Sequence, residues 1–115
     1  MKKITVELLR KYCVPECQIV PFEKLFPNGA KVTRANVLKA MHEGLDIDGT
    51  AGDLFSKQAY TVYNDAYKDA RDVYNAAMLI SYGKQNKACE ECGEAFDKGI
   101  AAAFVKAWNK QNKEK

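Results

Sequence analysis

The chain has 115 residues, a length that carries one domain and one core, and it is 47% hydrophobic and 29% charged. That composition excludes a disordered chain, and a net charge of +3 with acids and bases interspersed lacks the Lys and Arg concentration usual in a dedicated nucleic-acid binder, so charge names no partner. No stretch reaches the roughly 20 uncharged apolar residues of a membrane span. Glu7, Arg10 and Lys11 interrupt the N-terminus before a signal-peptide apolar run builds up, so a cytoplasmic protein with no membrane association is expected.

Thr5 is placed to cap a short first helix ending near Cys13, with Val6, Leu8, Leu9 and Tyr12 as its apolar positions. Pro15 to Phe26 reads as a second helix begun by a tolerated first-position proline and bent at Pro21, where a backbone donor is missing. Pro27-Asn28-Gly29 is a stop and turn. Thr33 precedes a third helix, Arg34 to Glu43, whose C-terminal stop is Gly44. Asp48 is expected to cap a short turn ending near Phe55, and Ser56 to cap the long helix after it.

From Ala59 to Ile80 the residues Ala59, Val62, Ala66, Ala70, Val73, Ala77 and Ile80 recur three or four apart, with Tyr60, Tyr63, Tyr67 and Tyr74 along one edge. Gly83 to Lys87 reads as a loop leading to a final helix from about Ala88 to Gln111. The fold class expected is all-α: one domain over 1–115, with short helices and turns over 1–55 packed on a long two-helix hairpin over 56–115.

Three constellations bear on chemistry. Asp46-Ile47-Asp48-Gly49-Thr50 spells the D-x-D-G-T string of haloacid-dehalogenase-type phosphatases. Helices surround it here, whereas that chemistry needs a buried strand end and later Lys and acidic motifs, so the string reads as a loop with a capping Asp48. Cys13-x3-Cys17 and Cys89-x2-Cys92 would supply four thiolates to a tetrahedral zinc if the two ends of the chain met. Packed free thiols and disulfides are the other readings; Glu90 and Glu91 argue against a redox pair, because they raise thiol pKa values. His42 is the single histidine, read as a residue of a helix C-terminus, and no phosphate-binding glycine loop is present. No catalytic residue and no resident cofactor are expected.

The final helix carries the remaining signal. Ile100, Ala101, Phe104, Val105 and Trp108 spread apolar surface over more than half its circumference, too wide for one partner helix. Either the short N-terminal helices wrap this end, or Phe104 and Trp108 form an exposed interface. The basic tail Lys106, Lys110, Lys113 and Lys115 reads as a solvated end or as a contact for a phosphate backbone.

Phe22-x-x-x-Phe26-Pro27-x-Gly29-Ala30-x-Val32-Thr33, then Asn36-Val37-Leu38-Lys39-Ala40 and Gly44-Leu45-Asp46-Ile47-Asp48, resemble the opening of small phage and prophage accessory proteins that continue into Tyr- and Ala-rich helices, as Tyr60 to Ala77 does here. The resemblance departs after Gly83, and Gly49 stands where an aromatic or bulky residue is usual. It implies a phage accessory origin and transfers no functional residue; its consequence is a partner class, a host enzyme or defence complex.

The resulting expectation is a non-enzymatic protein that binds a host protein through Ile100, Phe104, Val105 and Trp108 or through the tyrosine edge at Tyr60 and Tyr67. The alternatives are a zinc-stabilised nucleic-acid-binding module built on Cys13, Cys17, Cys89 and Cys92, and a structural homo-oligomer.

Overall fold

The computed structural model describes residues 3–81 and 86–113, with side chains described over 3–76 and 93–112. Within them the order is β1 (Lys3–Ile4), α1 (Val6–Lys11), α2 (Glu16–Leu25), β2 (Ala30–Lys31), α3 (Arg34–His42), α4 (Ile47–Leu54), α5 (Lys57–Ser81) and α6 (Asn86–Lys113). The fold is all-α, with short helices packed on a long α5–α6 hairpin. It adds to the expected elements a two-residue antiparallel ladder pairing Lys3 with Lys31 and Ile4 with Ala30, and it has the eight-residue helix α4 where a short turn was expected. Gly29, at φ +84°, brings the turn before β2 so close to β1 that a Cβ there would lie 3.1 Å from the Ile4 carbonyl oxygen.

Local chemistry accounts for most boundaries. The Thr5 and Thr33 hydroxyls accept from the backbone N–H of Leu8 (3.1 Å) and Asn36 (3.2 Å), satisfying first-turn donors of α1 and α3. Both helices end in the same double-bonded C-terminal motif. At α3, Gly44 N–H donates to the Met41 carbonyl and Leu45 N–H to that of Ala40. At α1, Cys13 N–H donates to Arg10 and Val14 N–H to Leu9. The motif needs a left-handed residue, which is Gly44 (φ +86°) in one case and Cys13 (φ +61°) in the other.

Three boundaries depart from the sequence expectation, at Pro15, at Asp46 and at Asn86, where α6 begins two residues before the expected Ala88. Pro15 is the cap of α2, not its first residue, and the Pro15 carbonyl accepts from Gln18 and Ile19. The helix runs on through Pro21, which lacks the N–H that would have bonded the Cys17 carbonyl. Asp46, not Asp48, caps α4: its Oδ1 accepts from Gly49 N–H at 3.0 Å, while its carbonyl accepts from the Thr50 hydroxyl at 2.8 Å. The reason is register. The carboxylate three residues before Gly49 meets its exposed donor, and a Cβ on residue 49 would collide with that carboxylate. Ser56 caps α5 as expected, its Oγ accepting from Ala59 N–H at 3.2 Å.

At a rise of 1.5 Å per residue the 25 residues of α5 and 28 of α6 run for about 38 and 42 Å. The short helices cover only part of that length. Core residues come from the first two turns of α5 (Ala59, Tyr63) and the second half of α6 (Ile100, Ala101, Ala103, Phe104, Ala107, Trp108), packed with Leu9, Ile19, Phe22, Val37, Leu54 and Phe55. Gln111, the one buried polar residue among those described, ties this end together. Its Oε1 accepts from Ser56 N–H at 2.6 Å and its Nε2 donates to the Leu54 carbonyl at 3.2 Å, spanning the α4–α5 junction. A cavity of about 60 Å³ remains between α1, α2 and α3, walled by apolar side chains including Leu9, Phe22 and Val37.

Candidate interaction surface

The structure divides the expected partner-binding residues. Phe104 is 2% exposed, Trp108 6% and Ile100 9%, because the short helices wrap the broad apolar end of α6. This corrects the expectation of an exposed interface there: the wide face is a core face. Phe104 packs 4.9 Å from the Phe55 ring and edge-on to Tyr63 at 6.3 Å, so its whole side chain is occupied within the fold. Val105 is half-buried against the same core.

The tyrosine edge runs outward from that core. Tyr63 is fully buried, with Tyr60 and Tyr67 each 6.0 Å from it and half-buried. Tyr67 then meets Phe96 of α6 edge-on at 5.7 Å, and Tyr74 stacks on the other side of Phe96 at 4.9 Å. The small residues between them let the helices approach: a Cβ on Gly99 would lie 2.7 Å from the Ala70 Cβ. Expected rings therefore serve two ends, closing the core at Tyr63 and holding the outer hairpin at Tyr67 and Tyr74.

Beyond Tyr67 the described part of the hairpin has only its own two helices to bury apolar surface. One edge of α5 is left uncovered there: Val73 is 68% exposed, and Ala76 is exposed beside it one turn on. Exposed Asp65, Asp69 and Asp72 border this edge. The sequence placed Val73 on the apolar face, but α6 covers the neighbouring Ala70–Tyr74 stripe instead. Val20, on α2, is the other large exposed apolar side chain among the described residues, at 52%.

Of the expected metal ligands, Cys13 and Cys17 are free and exposed, on either side of Pro15. The Cys89 and Cys92 side chains lie outside the described residues. Among the described residues no three His, Cys, Asp or Glu side chains converge as a metal site would require. His42 sits in the last turn of α3, the place expected for it. Asp46 is occupied as a helix cap, and Asp48 lies in the first turn of α4, where its carboxylate acts on Tyr63.

Tyr63 is the residue whose environment the sequence least announced. Its phenolic oxygen is buried with no hydrogen-bond partner among the described residues. Burial pushes the phenol well above its ordinary range, and the Asp48 carboxylate pushes it further the same way. A phenol held protonated in this way suits a core position; proton transfer would need a phenol poised near neutrality.

No helix among the described residues is long and apolar enough to cross a membrane. Comparison with protein-family models, with curated proteins and with solved structures finds no match.

Proposed function

We propose that the chain is a non-enzymatic accessory protein of phage type, which binds a host protein through the outer α5–α6 hairpin and inhibits it by occupying its surface. The observation that carries this reading is Val73, a β-branched apolar side chain 68% exposed on a helix otherwise amphipathic, in an arm that no third element covers among the described residues. The bordering aspartates favour a partner with basic groups around an apolar contact. The contact surface thus moves from Phe104 and Trp108 to the arm.

The test uses the full chain as immobilised bait, beside Val73→Asp and, as a control at the other exposed apolar residue, Val20→Asp. A host protein retained by the parent is purified and titrated against all three. Loss of at least tenfold in affinity with Val73→Asp alone supports the arm; equal binding by all three refutes it. Sedimentation of the free chain separates the competing assignment. A mass of twice 12.9 kDa that Val73→Asp returns to one chain gives the edge to a second copy, packed as a four-helix bundle.

A further inference from the structure

The cavity of about 60 Å³ between α1, α2 and α3 is a recess with an apolar interior and an apolar mouth. Leu9, Val14, Phe22, Val37 and Phe104 wall it on the inside and are all buried, whereas Phe26, Val32, Leu45 and Ile47 line it from half-buried positions. Two of its wall positions, Ala30 and Ala40, carry a single methyl, so the fold leaves room there that larger core side chains would fill. Its polar lining residues are engaged with the chain's own backbone. Gln18 Oε1 accepts from Asp46 N–H at 2.7 Å, the Asn36 side-chain amide donates to the Lys31 carbonyl at 2.9 Å, and the Thr50 hydroxyl donates to the Asp46 carbonyl at 2.8 Å. These bonds tie together the segments around the recess, and the buried wall behind them is hydrocarbon.

A water molecule against such a wall lacks the hydrogen-bond partners it keeps in bulk, whereas an apolar guest gives up only its contact with water. Size narrows the guest. A cavity of about 150 Å³ holds the six carbons of benzene, so about 60 Å³ holds roughly two to three carbons of a chain. The half-buried side chains at the mouth leave a way out for the atoms that follow. We propose that the recess binds the end of a linear, uncharged alkyl chain, its terminal carbons against Leu9, Val14 and Val37 and the next ones between Phe26, Val32 and Ile47. The site lies on the body and is independent of the arm and of any reading of it.

1-Butanol is titrated into the full chain with ¹³C-methyl resonances as readouts, beside tert-butanol, which has the same atoms in a wider, branched shape. The expected result is a saturable shift at the Leu9, Val14, Val37 and Ile47 methyls, half-saturated at about 10 mM or below, with tert-butanol at least about fivefold weaker. The Val20 and Val73 methyls, exposed and outside the lining, should not follow it. Ala40→Val narrows the interior and Ile47→Asn sets an amide at the mouth, so the two variants test the two parts separately. Each should weaken 1-butanol at least about fivefold. No saturable shift up to about 100 mM overturns the proposal. So do equal affinities for the two alcohols, parallel shifts at Val20 and Val73, or undiminished binding in both variants.

Discussion

Replacing Tyr63 by Phe removes one oxygen from the most buried ring of the core and leaves the ring's contacts with Phe55, Phe104, Tyr60 and Tyr67 in place. The Asp48 carboxylate acts on that oxygen but falls outside hydrogen-bond geometry, so the folded state bears most of its desolvation uncompensated, a cost of about 1–3 kcal/mol. Tyr63→Phe should therefore stabilise the fold by about 1–2 kcal/mol, or about 4–8 °C in Tm for a chain of this size. Urea unfolding followed by circular dichroism checks it, with the midpoint raised and the m-value unchanged. The pH dependence gives a second arm. Because the folded-state pKa is raised, the phenol stays protonated in the native state while the unfolded chain ionises near 10. The contribution is full below pH 10 and falls by about 1.4 kcal/mol per unit above it, a slope that Tyr63→Phe removes. Destabilisation by about 1 kcal/mol or more would refute the reasoning, showing that the hydroxyl is bonded in solution; Asp48 would be the partner to test in a double-mutant cycle.

The matched helix ends give a sign test in opposite directions: Cys13→Gly should stabilise by about 0.5 kcal/mol net of unfolded-chain entropy, and Gly44→Ala should cost about 1 kcal/mol, both read from denaturant midpoints. The Gly44 cost is purely conformational, since a Cβ there meets nothing within 4 Å. Gln111→Leu orphans the Ser56 N–H and the Leu54 carbonyl together and should cost about 2 kcal/mol, with faster hydrogen exchange at the Ser56 amide. Gly99→Ala drives a methyl into Ala70 and should cost about 1–3 kcal/mol, largely recovered in the Ala70→Gly background. Phe104→Ala should cost about 3–5 kcal/mol by cavity formation, whereas Val73→Asp should change stability by no more than about 0.5 kcal/mol, as thermal melts of the two variants would show.

The hairpin and the helix caps were legible because their causes are local. A 3.6-residue apolar period marks α5 and α6, and Thr5, Thr33, Gly44 and Ser56 act within four residues of themselves. The illegible features depend on partners far away in sequence. Gln111 reads as one more polar residue in a lysine-rich tail until Leu54 and Ser56, 57 and 55 positions earlier, are brought against it. The two-residue ladder has no periodicity to detect, and Ile4 and Ala30 alone do not announce it. The candidate surface was misplaced for the same reason. Periodicity marks Phe104, Trp108 and Val73 alike as apolar-face residues; only the arrangement of α1 to α4 decides that the first two are covered and the third is not. The capping error at Asp46 was a choice between two aspartates two residues apart, settled by which carboxylate meets the Gly49 donor.

The division of α5 and α6 between body and arm makes the two proposed surfaces separable by mutation. Tyr63 and the Ile100–Trp108 stretch bind the hairpin to the short helices, so substitutions there report on folding before they report on binding. Val73 lies outside that packing, and its loss leaves every core contact in place. Phe104 belongs to both worlds: it closes the core against Phe55 and Tyr63 and lines the recess as well. Phe104→Ala would thus loosen the fold and open the recess together and distinguish nothing. Ile47 meets the recess from a half-buried position, where a polar side chain can stand without opening a buried cavity. A butanol response that disappears with Ile47→Asn in a chain that still unfolds cooperatively would belong to the recess, and a partner lost with Val73→Asp at an unchanged midpoint would belong to the arm.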